Sequence, residues 1–253
     1  MQTPHHFSPI IHAFWQQEFN ECQHLIDHET FGLYVNRTLD KDFLAIRLKQ
    51  IHHTAVSCGE PLAQAIKEAS LTNIDEAVLN HYLNKAGLRW FGENHIFYYE
   101  QAEKEMLLQR RLSPQTRQLT VKDLPLFTEF STHLSEEELH NAAVNIQHWL
   151  VYGIFAANKL VAVASMYPWS KELTSYGALI ADLGVMTLPD YRQKGYARHL
   201  VRAISQQAIL LGYEPQYRCR YHSKAAMKLA LAAGFVPFGR WDVILANKKS
   251  RQS

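Results

Sequence analysis

The chain has 253 residues, of which 47% are apolar and 20% are charged, and its formal net charge is +2. These values are typical of a soluble globular protein and exclude disordered, collagen-like and coiled-coil chains. A charge so close to zero also argues against a general nucleic-acid binder, which needs a basic surface. The length suits one large domain or two modest ones.

The three cysteines, Cys22, Cys58 and Cys219, are widely spaced and form no C-x-x-C pair. The sequence therefore predicts neither a disulfide scaffold nor a zinc ribbon, and it favours a reducing compartment. The first six residues lack a signal-peptide pattern, and no apolar run approaches the roughly 18 residues of a membrane helix. We expect a cytoplasmic protein that binds neither membrane nor nucleic acid. The oligomeric state stays open, a homodimer included.

Residues 1–115 are predicted to form a mostly helical domain with a structural or substrate-covering role, because this half holds no chemical motif. A helix is expected over residues 40–59, where apolar residues recur every three or four positions: Leu44, Leu48, Ile51 and Ala55. Asn73 can cap a second helix that begins at Ile74 and stops at Gly87. Short strands are predicted at residues 31–35 and 95–99.

Histidine is abundant, with 14 residues. His24 and His28 are four residues apart in a stretch expected to be helical, a spacing that would offer two metal ligands from one face. No third ligand is marked in the sequence. We therefore expect solvated histidines and no metal site.

A polar segment with Pro114, residues 110–118, is the expected linker. The pattern then alternates between strands and helices. Strands are predicted at residues 118–121, 151–156, 160–166, 179–188 and 216–221, with a final strand pair over 235–245. Helices are predicted at residues 124–134, 136–146, 196–211 and 223–233. This order predicts a mixed α/β fold for residues 116–253.

The most informative segment is L-G-V-M-T-L-P-D-Y-R-Q-K-G-Y-A-R, residues 183–198. A buried strand ends at Pro189, and a basic loop leads through Gly195 into an amphipathic helix. The free N–H groups and positive dipole end of such a helix start bind anions, most often phosphate. Gly195 lets the ligand approach the backbone closely. The segment contains neither a Walker phosphate loop nor a G-x-G-x-x-G fingerprint.

The charge distribution indicates the same region. Residues 189–228 contain eight basic and two acidic residues, a balance of +6, so the rest of the chain carries −4. Arg192, Lys194 and Arg198 would suit a pyrophosphate. A positive region of this size in a nearly neutral protein indicates a small anionic ligand.

Residues 185–198, with the core P-D-Y-R-Q-K-G-Y-A, resemble the acyl-CoA-binding motif of the GNAT superfamily of N-acyltransferases. Residues 223–235, ending in A-A-G-F, are similar to the next helix of that superfamily. The resemblance covers about residues 117–245, with the elements in the expected order. The phrase P-Q-Y-R-C at residues 215–219 and the long N-terminal extension are similar to a subgroup that includes the zwittermicin-resistance acetyltransferases.

The resemblance implies that acetyl-CoA is the co-substrate. It implies that the main chain of Val185 and Thr187 pairs with the pantetheine arm and that residues 193–198 supply N–H groups to the pyrophosphate. The strands beginning at Val185 and Gln216 would splay apart and leave a slot for the thioester. The cofactor-binding residues expected on this basis are Val185, Thr187, Arg192, Gln193, Lys194, Gly195, Tyr196, Ala197, Arg198 and Ser223. Arg218, Arg220 and Lys224 either neutralise the CoA phosphates or lie on a solvated face.

The residues that usually move protons in this superfamily are missing. Ala181 stands where many members have a glutamate, and Ala230 stands where many have a tyrosine. Asp182 follows Ala181 but would face the other way on a regular strand unless a bulge re-aims it. Asp182 is our candidate general base, ahead of Tyr221 and His222, and its alternative role is that of a structural carboxylate.

We therefore expect an N-acetyltransferase that moves an acetyl group from acetyl-CoA to the amine of a small molecule. Direct attack on the thioester remains feasible without the usual residues, because positioning two substrates supplies much of the rate. The alternatives are a non-catalytic acyl-CoA-binding sensor and, although no RNA-module motif is present, an RNA-binding protein. The sequence specifies neither the acceptor nor the acyl group.

Overall fold

The computed structural model of the chain describes residues 7–20, 23–71, 73–168 and 179–246. Within them, strands form one mixed sheet in the order β1-β2-β4-β3-β11-β5-β10-β9-β8-β7-β6. The β2–β4 and β9–β10 neighbours are parallel and the other neighbours antiparallel. The strands are β1 (Gln23–Asp27), β2 (Phe31–Val35), β3 (Phe43–Lys49), β4 (Thr54–Cys58), β5 (Phe91–Tyr98), β6 (Thr116–Gln118), β7 (Leu150–Ala156), β8 (Lys159–Pro168), β9 (Ile180–Thr187), β10 (Glu214–Arg220) and β11 (Val236–Leu245).

Helices pack against the two faces of this sheet. They are α1 (Pro9–Asn20), α2 (Glu60–Glu68), α3 (Glu76–Lys85), α4 (Gln101–Gln109), α5 (Leu124–Thr132), α6 (Glu136–Ala142), α7 (Tyr196–Leu210) and α8 (Lys224–Ala233). None of the helices in the described part of the chain is long and apolar enough to cross a bilayer. The mixed α/β fold predicted from the sequence is confirmed.

The N-terminal half contains more strand than its sequence pattern predicts. The helix expected over residues 40–59 is wrong, because β3 and β4 form an antiparallel hairpin there. Ile51, assigned to the apolar face of that helix, lies in the turn and is 76% exposed. All five side chains of β4 are buried. When both faces of a strand are buried, apolar residues no longer alternate with polar ones, and a spacing of three or four arises by chance.

Other N-terminal predictions have mixed outcomes. β2 is confirmed at its predicted position, and β5 overlaps the strand predicted at residues 95–99. α3 begins later than predicted, and its cap is Asp75, whose side chain accepts a hydrogen bond from the Val78 N–H at 2.8 Å. His24 lies on a strand, so the premise that it shares a helix face with His28 is wrong. The described residues hold no group of three His, Cys, Asp or Glu side chains arranged to bind a metal.

The predicted C-terminal elements are present with two exceptions. The strand predicted at residues 118–121 lies earlier, at Thr116–Gln118, and the final strand pair is wrong, because residues 236–245 form the single strand β11. α7 buries the apolar stripe read from its sequence, including Leu200, Val201 and Ile204, against the sheet. β5 from the N-terminal half lies between β10 and β11, and β11 also pairs with β3. One sheet therefore crosses the predicted boundary at residues 115 and 116, and the division into two domains stays a prediction.

A buried ion-pair cluster joins β3 to β11 and α3. The Arg47 Nε donates to the Asp242 carboxylate at 2.8 Å, and a second guanidinium N–H contacts the same carboxylate. The Nη1 of Arg47 donates to the Glu76 carboxylate at 3.1 Å, and the guanidinium lies 4.2 Å from the centre of the Trp90 ring. Burial raises the pKa of Asp242 despite the opposing effect of Arg47. Removing Asp242 would leave the buried Arg47 with only the partly exposed Glu76 as its ionic partner, and breaking a buried ion pair is costly.

We expect Asp242→Asn to lower the free energy of unfolding by about 3 kcal/mol or more, the usual cost of breaking a buried ion pair. Arg37→Gln is the control, because Arg37 and its partner Glu60 are 73% and 63% exposed and such pairs contribute about 0–1 kcal/mol. Urea denaturation of both variants measures the difference. Equal losses would contradict the assignment of the Arg47 cluster as a stabilising core contact.

Candidate active site

β9 and β10 run side by side as parallel strands but pair over only part of their length. Their ladder runs from Ile180 and Glu214 to Leu183 and Tyr217 and then ends. Beyond it a space of about 430 Å³ opens between the strands. We call this space the slot. The residues that line it are Asn141, Ala142, Leu183, Gly184, Val185, Tyr217, Arg218, Cys219, Arg220, His222, Ser223 and Ala226. The opening expected between these two strands is thus present, starting just after Leu183.

The main chain of β9 faces the slot at the predicted positions. The Leu179 carbonyl accepts from the Glu214 N–H of β10 at 2.6 Å, whereas the Leu188 N–H donates to the Val161 carbonyl of β8 at 2.9 Å. Successive residues of a strand direct their N–H and C=O groups to opposite sides. Val185 and Thr187 are separated from Leu179 by an even number of residues, so their main-chain groups are also directed away from β8. Val185 lines the slot, and the Thr187 carbonyl accepts from Arg192.

The start of α7 has the geometry of an anion site. Gly195 is the residue before the helix, and its φ of +85° is one that a side chain would strain. The first bond of the helix runs from the His199 N–H to the Gly195 carbonyl at 3.1 Å. The N–H groups of Tyr196, Ala197 and Arg198 therefore have no partner within the helix. The predicted anion-binding residues 193–198 converge on this helix start.

The basic residues before α7 already contact the protein. Arg192 donates from Nε to the Thr187 carbonyl at 3.1 Å and from Nη2 to Glu138 of α6 at 2.6 Å. The Ser135 N–H and this guanidinium lower the pKa of Glu138 to about 2. The Lys194 ammonium donates to the Asp190 carbonyl at 2.8 Å. Arg192 thus holds α6 beside the slot, and its contact with a phosphate stays a prediction.

The C-terminal end of α6 lies directly over β9. A side chain at Gly184 would collide with the carbonyl oxygen of Ala142, so only glycine permits this approach. The Asn141 side chain accepts a hydrogen bond from Arg220 of β10 at 2.7 Å. α6 is therefore attached to both strands that border the slot.

Asp182 lies on the same face of the sheet as α6, opposite to Ala181. The β8–β9 ladder passes Asp182 without a register shift, so the bulge considered above is not there. Asp182 is buried, with its side chain 5% exposed. The carboxylate accepts three hydrogen bonds: from Arg218 Nη2 at 2.6 Å, from the Tyr167 hydroxyl at 3.1 Å and from Gln216 Nε2 at 3.2 Å. Arg218 is thus paired with Asp182 rather than free on a solvated face, and its contact with the CoA phosphates stays a prediction.

A second opening, of about 270 Å³, lies on the α6 side of the sheet. We call it the acceptor-side cleft. Its polar lining consists of Asn94, His140, Asn141, Tyr167, Asp182, Arg218 and Arg220. The two spaces adjoin, because both are lined by Asn141, Ala142, Leu183, Arg218, Cys219 and Arg220.

The segment that carries the slot, the start of α7 and most of this cleft has a recognisable sequence. Residues 114–235 match the sequence model of the acetyltransferase (GNAT) family. These residues belong to the GNAT family. The chain therefore carries an acetyltransferase domain, as the resemblance of residues 185–198 and 223–235 predicted. The likeness to the zwittermicin-resistance subgroup stays a prediction, and no curated protein matches the chain.

Solved structures of GNAT proteins show distant similarity to the chain. A GNAT-family protein from Novosphingobium aromaticivorans is 18% identical, with 63% of this chain and 66% of that one covered and a TM-score of 0.45. An acetyltransferase from Colwellia psychrerythraea is 17% identical, with 68% of this chain and 63% of that one covered and a TM-score of 0.47. A GCN5-related N-acetyltransferase-like protein from Streptococcus suis is 16% identical, with 86% of this chain and 80% of that one covered and a TM-score of 0.42. The chain covers less than two thirds of the first two. TM-scores this low add nothing to the family match.

The remaining candidates in the GNAT domain have different surroundings. Ser223 immediately precedes α8 and lines the slot across from Val185. The exposed His222 also lines the slot. Tyr221 stacks on His95, with ring centres 5.0 Å apart. Burial raises the pKa of Cys219 to about 11, so this thiol is protonated at neutral pH and is not an activated nucleophile. Ala181 and Ala230 are fully buried.

A hydrogen-bonded chain that sequence reasoning missed reaches Asp182 from the N-terminal half. The Trp15 indole N–H donates to the Tyr98 hydroxyl at 3.0 Å, and that hydroxyl donates to the Gln216 side chain. Gln216 in turn donates to Asp182. All four side chains are buried. Nothing in the spacing of these residues signals the contact, because it depends on β5 lying beside β10.

Proposed function

We propose that the GNAT domain transfers an acetyl group from acetyl-CoA to the amine of a small-molecule acceptor. The observation that carries this proposal is that the slot and the acceptor-side cleft meet between β9, β10 and the end of α6, where they share six lining residues. A thioester held in the slot and an amine held in the cleft would meet there. Such an arrangement gains its rate from placing the reacting atoms side by side.

The described residues fit an acyl-CoA. The N–H groups at the start of α7 would bind the pyrophosphate, with Gly195 permitting close approach. Lys194 and Arg198 would add positive charge, and Arg192 also if it leaves Glu138. Main-chain groups of Val185 and Thr187 would bind the pantetheine arm from β9, and Ser223 would face it across the slot. The bound thioester supplies the activated acetyl group.

The acceptor amine would attack the thioester carbon directly. The new C–N bond forms and the C–S bond breaks, and the proton that the nitrogen loses in this step passes through water to the leaving thiolate, so that CoA departs as the thiol. An amine with a pKa near 10 must release a proton before it attacks. Asp182 already accepts two hydrogen bonds on Oδ2 and one on Oδ1, so only Oδ1 has a lone pair left for that proton. Its role as base stays a prediction, and the contacts support a second role, that of orienting Arg218.

Titration calorimetry with CoA and acetyl-CoA tests the binding step, and we expect both ligands to bind. Thiol release from acetyl-CoA across a panel of amines then tests turnover. If neither CoA form binds, the central assignment is contradicted. If CoA binds but no amine accelerates thiol release, the chain is the non-catalytic sensor considered above.

The acceptor is proposed to be a small molecule rather than a nucleic acid, because the net charge is close to zero. A cytoplasmic location is proposed from the wide spacing of the cysteines, which suits a reducing compartment. Reaction of intact protein with a thiol reagent after denaturation would count reduced cysteines. Finding all three as thiols in protein isolated from its own cells would support this location.

A further inference from the structure

We propose that the acceptor carries an anionic group, most simply a carboxylate, in addition to its amine, and that Arg220 and Arg218 bind that group. This inference rests on the proposed function, because it assigns the acceptor to the cleft beside the slot. It follows from the face on which these arginines lie, from the charge of the cleft and from the rigid support of Arg218.

The two guanidinium groups lie on the acceptor side of the sheet. Tyr217 and Cys219 of β10 belong to the apolar core formed with α7 and α8. Side chains of a strand alternate between its two faces, so Arg218 and Arg220 lie on the opposite face. Their contacts with Asp182 and with Asn141 of α6 agree with this placement. They thus lie on the face opposite to α7, at whose start the pyrophosphate is proposed to bind, and both also line the slot where it joins the cleft.

The charge of the cleft favours an anion. Among its described lining residues the only carboxylate is Asp182, which is buried and paired with Arg218. Arg220 donates a hydrogen bond to the neutral amide of Asn141, and no ion pair of Arg220 occurs within the described residues. A purely cationic acceptor would meet like charge here. A carboxylate would instead pair with a guanidinium fork, whose geometry suits two parallel hydrogen bonds.

Arg218 is held in place before any acceptor arrives. Asp182 binds one edge of its guanidinium, and the Trp241 ring lies 5.5 Å from the guanidinium carbon. Burial alone would lower the pKa of Arg218, but the Asp182 charge raises it above its ordinary value. The side chain of Arg218 is still 26% exposed. A fixed and partly exposed guanidinium loses little conformational freedom when it binds a ligand.

The test uses the products that such a transfer would form. N-acetyl amino acids and their uncharged methyl esters are titrated by calorimetry into the full-length protein saturated with CoA. We expect the acids to bind at least about tenfold more tightly than the esters, about 1.4 kcal/mol. Arg220→Gln should reduce this preference to about twofold or less without changing the affinity for CoA. An N-acetyl aminophosphonate series shows whether phosphonate serves as well as carboxylate.

Lys159→Gln is the matched control, since Lys159 is an exposed basic residue at the β7–β8 turn and should leave the preference for acids unchanged. Equal binding of acids and esters, or binding of neither, would overturn the proposal even if some amine is acetylated. A loss of CoA affinity in Arg220→Gln would also overturn it, because the guanidinium would then serve the cofactor. A preference for acids that Arg220→Gln removes, without acetylation of any amine, would support this inference and contradict the proposed function.

Discussion

Replacing Gly195 with glutamate is expected to abolish CoA binding while the protein stays folded. A Cβ at this position would have its nearest protein neighbours, in His199 and Arg198, at 3.7–3.8 Å, which is ordinary packing. The change therefore affects the ligand more than the fold. It places a negative charge and a side chain where the pyrophosphate would approach the N–H groups of α7. We expect CoA affinity to fall by at least about a hundredfold, about 2.7 kcal/mol in calorimetry.

Gly212→Glu provides a closely matched control. Gly212 follows the other end of α7, has a φ of +84°, and would also have open space around a new side chain. It therefore reproduces the backbone strain and the added charge at a distance of about 22 Å, the length of a 15-residue helix. Its CoA affinity should match that of the unmodified protein. Equal affinity in both variants would show that the start of α7 does not bind CoA.

The second large effect is expected from Asp182→Asn. The asparagine has the size of aspartate but removes the negative partner of Arg218, leaving a largely buried guanidinium charge uncompensated. We expect a loss of about 3 kcal/mol or more in the free energy of unfolding and a raised KM for the acceptor. The KM for acetyl-CoA should change little, because Asp182 lines the acceptor-side cleft and not the slot.

The pH profile of Asp182→Asn separates the two roles of this residue. If Asp182 is the general base, kcat falls at all pH values and the acidic limb of the profile disappears. If Asp182 orients Arg218, the acidic limb persists and the main effect is a raised KM for the acceptor. Asp182→Asn/Arg218→Met should recover part of the stability, since it removes the unpaired charge along with its partner. Recovery of acceptor affinity in this double variant would contradict a role for Arg218 in binding.

Local sequence predicted the C-terminal half well. The glycine before α7, the apolar stripe of that helix and the turn between β7 and β8 are each specified by residues close together in the chain. The slot was expected only through the family resemblance, since the point where β9 and β10 part depends on long-range pairing. β3 and β4 were missed because burial on both faces removes the alternation that identifies a strand.

The contacts of Asp182 could not have been predicted from the sequence. They join residues from α1, β5, β8, β9 and β10, and only the three-dimensional packing brings those elements together. Gly184 gives a similar lesson. Only glycine fits here because the Ala142 carbonyl, 42 positions earlier in the chain, would collide with a side chain. The sequence around Gly184 does not reveal that contact.

The position of β5 bears on the order in which this protein can fold. β5 leaves the ribosome well before residues 214–245, yet both of its neighbours in the sheet, β10 and β11, come from that late stretch. Until they are synthesised, both edges of β5 lack their final partners. Such non-local pairing slows folding and leaves strand edges open to wrong pairing. The buried support of Asp182 passes through Tyr98 at the end of this strand, so the acceptor-side cleft would be among the last parts of the molecule to form.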